Sequence, residues 1–214
     1  MSVIIGQASK NEFGRVSGGS RGDQTGAEVK LSDWYDGDWH TVLRPVNGAV
    51  ALKSAAACKA ACLNENIGYS QSHRNTLNQV ASRNGYDLAG VKTPCDCDCS
   101  SLMHVCAIAG GAPLVYGMNG FVTSNMVRTL TNSGAYVALQ GAEYTESSKL
   151  LRPGDILVTS GHTAMVVETS FQSVPDTDSS ESKAEMKSAM VLVVAFIVIC
   201  LSVLFGVSFA LFHA

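Results

Sequence analysis

The pattern of apolar and polar positions divides the chain into a long mixed stretch, a short polar run and an apolar end. At the start, Val3-Ile4-Ile5-Gly6-Gln7 reads as part of a strand over 3–8. An alanine-rich run from Ala49 to Leu63 predicts a helix. A second helix is expected from Thr76 to Asn84, ended by Gly85. Pro94 stops any earlier helix, and Cys95-Asp96-Cys97-Asp98 offers short side chains suited to a cap. Leu102, Val105, Cys106 and Ala109 then recur at three- and four-residue steps until Gly110-Gly111 and Pro113 end the run. This predicts one helix of about ten residues with Cys99 in its first turn. Arg152-Pro153-Gly154-Asp155 is turn chemistry, and Ser160-Gly161 reads as a tight turn. Strands over 153–159 and 162–168 would therefore form a hairpin with His162 near its turn end.

The apolar end changes the picture most. From Ser188 to Phe212 no residue is charged, and at about 1.5 Å per residue such a helix crosses a hydrocarbon core of roughly 30 Å. The Ser-, Asp-, Glu- and Lys-rich run before it reads as a flexible tether. The expected organisation is a domain over 1–169, a tether over 170–187 and a transmembrane helix over 188–212. The N-terminus lacks a charged segment followed by a long apolar core, so no signal peptide is read there. The expected location is a membrane, through a single-pass C-terminal anchor. Lys183 and Lys187 favour a cytoplasmic near side, whereas a substrate outside the producing cell argues the reverse, and the side stays open. The net charge of −3 offers no footprint for nucleic acid.

The candidate chemistry lies in Cys99 and His162. A thiol attacks only as thiolate, and a helix N-terminus with a neighbouring imidazole favours that form. Free N–H groups of the first turn could also stabilise an oxyanion. The two residues are far apart in sequence, as expected of partners that meet only in the fold.

Asp98-Cys99-Ser100-Ser101-Leu102-Met103, together with Gly154-Asp155-Ile156-Leu157-Val158 and Gly161-His162-Thr163-Ala164, resembles the NlpC/P60 cysteine peptidases. More narrowly, the chain resembles the catalytic domains of bacteriophage and prophage endolysins. Gly22-Asp23-Gln24-Thr25-Gly26, Trp34-Tyr35, Trp39, Val42-Leu43-Arg44-Pro45 and Gly68-Tyr69 fall in place over roughly 3–168. The resemblance implies an α+β, papain-like fold with the helix-borne cysteine packed on a small antiparallel sheet, here with one C-terminal transmembrane helix added. It also implies hydrolysis of an amide in peptidoglycan stem peptides. The D-γ-glutamyl link to a diamino acid is preferred, and the muramoyl–L-alanine amide is the other choice. In that scheme Cys99 attacks, His162 shuttles the proton, and Asp98, Ser100 and Tyr69 line the substrate site. No cofactor and no metal is needed. Ser101 stands where glycine is commonest in the family.

The third catalytic member is not fixed by the motifs. Glu168 lies about 20 Å along a strand from His162 and is ruled out. The N-terminal segment is expected to supply the missing edge, with Gln7 or Asp23 as the orienting residue. Cys58 and Cys62 read as packing residues, and Cys200 as apolar filling of the span. Cys95, Cys97 and Cys99 alternate in a way that suits a soft metal only if His104 joins them. Trp34, Tyr35 and Trp39 either line a groove or fill the edge of the core. Two other functional classes compete with the hydrolase: a silent peptidoglycan-binding membrane protein, and a metal- or redox-sensing protein built on Cys95 to Cys99.

Overall fold

Apolar, β-branched residues at the start of the chain form strand β1 (Val3–Ala8), an inner strand of the sheet next to one edge. It pairs antiparallel with β2 (Val29–Asp33) on one side and with β8 (His162–Thr169) on the other. β8 leaves a tight turn from β7 (Ile156–Thr159), in the register Thr159 opposite His162. β7 pairs with β3 (Thr41–Pro45), and β3 with β6 (Tyr136–Leu139). The result is a six-stranded sheet in the order β2-β1-β8-β7-β3-β6. The computed structural model describes residues 2–170, which belong to a single unit, Met1–Ser170.

Helix α1 (Gly48–Cys62) begins where the Asn47 side chain accepts the N–H groups of Ala49 and Val50. It packs against β1, β8 and α3 (Cys99–Ala109). Alanine and glycine let these elements approach closely. A Cβ on Gly110 would stand 2.0 Å from Ser54 Oγ and 2.8 Å from Val50 O, and one on Gly6 would stand 2.6 Å from Cys58 Sγ. Cys58 and Cys62 therefore serve at the seat of α1 on the sheet, and Cys58 is wholly buried. Hydrogen bonding to neighbouring thiols, Cys106 for Cys58 and Cys58 for Cys62, together with burial raises both well above the ordinary range, so they are protonated packing groups.

The predicted helix from Thr76 to Asn84 divides into α2 (Thr76–Ala81) and a 3-10 turn over Ser82–Asn84. Gly85, at φ 70°, then ends it in the left-handed region. Around α2 runs a parallel pair, β4 (Ile67–Tyr69) with β5 (Cys95–Cys97). The alternation of Cys95 and Cys97 thus belongs to a strand rather than to a cap. Both thiols are buried and donate to carbonyls at β4, Cys95 to Asn66 just before it and Cys97 to Gly68 within it. Two further helices, α4 (Thr123–Asn132) and α5 (Ala142–Thr145), flank β6.

The expected architecture needs correction. The described residues form a mixed α/β unit with a six-stranded sheet and a separate parallel pair, not a small antiparallel sheet under one helix. The cause is that β2, β3 and β6 extend the hairpin on both sides. The expected transmembrane helix is not part of this architecture. Among the described residues no helix is long and apolar enough to cross a membrane. Even α1, at 15 residues, spans only about 22 Å of the roughly 30 Å required. The stretches read as tether and span, from residue 171 onward, lie outside the described residues.

The close contact of α1 and α3 gives a direct test. Gly110→Ala, at a backbone conformation any residue accepts, inserts a methyl against Ser54 and Val50. The expected loss is about 1–3 kcal/mol, read from the urea midpoint at unchanged slope.

Candidate active site

The start of α3 is fixed by a reciprocal cap. Asp98 Oδ1 accepts the Ser101 backbone N–H at 2.7 Å, and Ser101 Oγ accepts the Asp98 N–H at 2.8 Å. Ser101 thereby supplies an acceptor that a glycine there would lack. The cap is itself anchored. Arg74, in the turn before α2, donates from Nε to Asp98 Oδ2 at 2.6 Å and from Nη2 to Asp98 Oδ1 at 3.2 Å. The same Nη2 donates to Ser100 Oγ at 2.9 Å and to the Phe121 carbonyl at 2.7 Å, and Nη1 bonds the Asn119 carbonyl. Ser100 Oγ in turn donates to Asp98 Oδ1 at 3.0 Å. Asp98 and Ser100 are 6% and 2% exposed, so their polar atoms are committed inside the protein.

Cys99 follows at the first turn of α3. Helix α3 packs against β8, and the backbone N–H groups of Thr163 and Ser100 come close enough to the Cys99 sulfur to favour its anion. These N–H groups and Arg74 favour the thiolate, but burial opposes it more strongly and Asp98 adds to the opposition. The thiol is pushed up to about 11. Sequence reasoning expects a thiol activated by its helix terminus; in the fold, desolvation outweighs the terminus. Burial also lowers His162 below its ordinary value of 6.5. At neutral pH the thiol and the imidazole are therefore both uncharged at rest.

His162 is held from the side by β1. Its Nε2 lies 2.9 Å from Gln7 Oε1, so the carbonyl oxygen receives the ring N–H. The same oxygen accepts the Tyr35 hydroxyl at 3.1 Å, and Gln7 Nε2 donates to Ser32 Oγ at 2.8 Å. Trp39 packs 6.2 Å from the His162 ring and donates its indole N–H to the Tyr35 carbonyl at 2.9 Å. The aromatic cluster left open between groove and core is thus partly a frame for the histidine: Trp39 is 4% exposed, while Tyr35 keeps an exposed edge.

Of the two candidate orienting residues, the fold brings Gln7 to His162. Asp23 is occupied elsewhere. Its Oδ1 accepts N–H groups from Thr25, Gly26 and Ala27, and its Oδ2 those of Glu28 and Val29, which closes the loop before β2. Tyr69 ends β4 close to Cys99 and is buried, with its hydroxyl raised chiefly by desolvation. His104 faces away from the thiol. It stacks on Phe121 at 4.1 Å and on Tyr116 at 4.8 Å, accepts the Phe121 N–H, and is lowered to about 4 by burial. No group of three or more His, Cys, Asp or Glu among the described residues could hold a metal ion. Arg74, Ser32 and the role of Tyr35 went unseen in the sequence. Arg74 sits in a polar loop with no spacing to mark it, and only the aromatic pair Trp34-Tyr35 hinted at the last.

These positions define a thiol at the start of a helix that packs on the strand headed by the imidazole, with the first strand of the unit holding that imidazole. A model described as the endolysin-like domain matches residues 5–173, and the chain belongs to that family. Membership points, in general terms, to a role of the peptidoglycan hydrolase type. No curated protein and no solved structure matches the chain.

The Arg74–Asp98 pair has a stability consequence. Arg74→Met leaves the nearly buried Asp98 carboxylate without its counter-charge, and an expected 3–5 kcal/mol (roughly) is lost in urea unfolding. Asp98→Asn in the Arg74→Met background recovers part of that loss.

Proposed function

We propose that this unit is a cysteine hydrolase that cleaves an amide of peptidoglycan stem peptides, in the manner of the NlpC/P60 peptidases it resembles. The preferred bond is the D-γ-glutamyl link to a diamino acid, and the muramoyl–L-alanine amide is the alternative. One observation carries this reading: α3, with Cys99 in its first turn, packs on β8, while Gln7 holds the ring of His162 at the head of that strand by Nε2. Family membership supports the substrate class.

The sequence of steps follows from the charges at rest. With Nε2 donating to Gln7, the bare nitrogen of the neutral ring is Nδ1. As a substrate carbonyl arrives, Nδ1 takes the Cys99 proton and the sulfur attacks the carbonyl carbon. The developing oxyanion meets the backbone N–H of Cys99 at the first turn of α3, whose orientation is fixed before the substrate binds. His162 then passes the proton to the departing amine and a thioester remains. Water, deprotonated by the same nitrogen, then attacks the thioester; as the acid leaves, His162 returns that proton to the Cys99 sulfur. Asp98 and Ser100, already bound to Arg74, hold the nucleophile's turn in place. Tyr69 packs beside it as part of the wall.

Digestion of purified peptidoglycan by the full chain, with fragments read by mass spectrometry, tests the assignment. New stem-peptide ends that vanish with Cys99→Ala support it. A folded, reduced wild-type protein that releases nothing from several wall chemistries favours a silent binding module instead.

The pH dependence follows from the same burial. A base with a lowered pKa stays neutral until the pH falls below 6.5, so kcat/KM should hold level through neutrality and drop only below that point. Alkylation of Cys99 by iodoacetamide should keep rising with pH toward about 11. A rapid alkylation plateau on the acid side of neutrality indicates a preformed thiolate and overturns the neutral resting pair.

A further inference from the structure

A glutamine side chain has two ends of nearly the same shape and opposite polarity, and at Gln7 the choice between them decides the chemistry of His162. With Oε1 toward the ring, Nε2 of the histidine carries the proton and Nδ1 is bare. With the amide reversed, Gln7 would donate to the ring, the proton would sit on Nδ1, and the one basic nitrogen would be the one tied up by Gln7. Gln7 is 5% exposed and lies in β1, between β2 and β8, so its neighbours rather than solvent set its orientation.

Two of those neighbours are hydroxyls. Tyr35 donates to Gln7 Oε1 at 3.1 Å, and Ser32 Oγ accepts from Gln7 Nε2 at 2.8 Å. A hydroxyl can both donate and accept, so neither alone would forbid the reversed amide. The two differ in kind, however. A phenol, with a pKa of about 10, is the stronger donor and the poorer acceptor, and an aliphatic alcohol is the better acceptor. Placing the phenol at the ring end and the alcohol at the far end favours the orientation with Oε1 toward His162. Tyr35 is itself steadied by Trp39, which donates to the Tyr35 carbonyl at 2.9 Å and packs 5.6 Å from its ring.

We propose that Tyr35, seconded by Ser32, is a positioning residue that fixes the Gln7 amide and thereby the proton-accepting tautomer of His162. This rests on the reading of Cys99 and His162 as the reacting pair, but its structural content is independent of any turnover. Neither hydroxyl touches the reacting atoms; both act through Gln7.

The test uses the full chain labelled with 15N-histidine. The chain holds only five histidines, and the His162→Ala spectrum assigns the resonance. Long-range proton–nitrogen spectra at pH 7.5 should show His162 with a protonated Nε2 and a bare Nδ1. In Tyr35→Phe the two ring nitrogens should move toward each other, as both tautomers become populated. Ser32→Ala should shift them the same way by less. On peptidoglycan, Tyr35→Phe should lower kcat roughly five- to tenfold at constant KM, the factor that one lost neutral hydrogen bond represents. A wild-type His162 protonated on Nδ1 overturns the proposal. So do ring nitrogens unmoved in variants that retain the wild-type melting temperature, and Ser32→Ala serves this purpose if Tyr35→Phe fails to fold. A shift of tautomer in a protein that cleaves no wall material supports the positioning role while refuting the hydrolase reading.

Discussion

The antiparallel ladder between β1 and β8 is the contact on which the site depends. It joins residues near the two ends of the described chain, with Ile5 opposite Val166 and Gly6 opposite Met165. Because the next residue is Gln7, the ladder delivers its amide to His162 across a separation of 155 positions. The same strand pairs with β2 on its other edge and so brings Ser32, and after it Tyr35, to the same point. Period-two alternation makes the arrangement register-dependent: a slip of one residue would turn Gln7 to the opposite face and remove both the orienting bond and its support.

At Cys99 two effects compete, and their sizes decide the outcome. A helix terminus favours an anion by about 0.3–1 kcal/mol, and by up to about 2 in partly buried settings. Raising a thiol from 9.0 to about 11 disfavours the thiolate by about 3 kcal/mol net of that help. Desolvation therefore governs the resting state. A buried neutral thiol avoids adventitious oxidation and alkylation, at the cost of needing a base correctly oriented at the moment of attack. This makes the geometry around His162 more consequential than the field around Cys99.

Arg74 connects three segments through one charged group. Its guanidinium ties the turn before α2 to the cap of α3 and to the carbonyls of Asn119 and Phe121. Asp98 alone could start the helix; with Arg74, the start is also fixed in space. The residues flanking the nucleophile thus contribute mainly by holding it, since their own polar atoms are consumed in doing so.

What the sequence determined by itself is local. Asp98 and Ser101 lie within one turn of Cys99, so a capped helix beginning there was legible, and Ser160-Gly161 placed His162 at the head of a strand. The strand over 3–8 followed from its apolar run. Strands β2, β3 and β6, the parallel Cys95–Cys97 pair and α4 escaped notice because short, half-buried segments carry too little pattern to separate them from loops. Only the tertiary structure chose Gln7 over Asp23, since a carboxylate within reach of five nearby N–H groups is consumed by its own loop before it can serve a distant ring. The protonation state of Cys99, too, belonged to the fold: the helix terminus is written in the neighbouring residues, but burial is supplied by elements far along the chain.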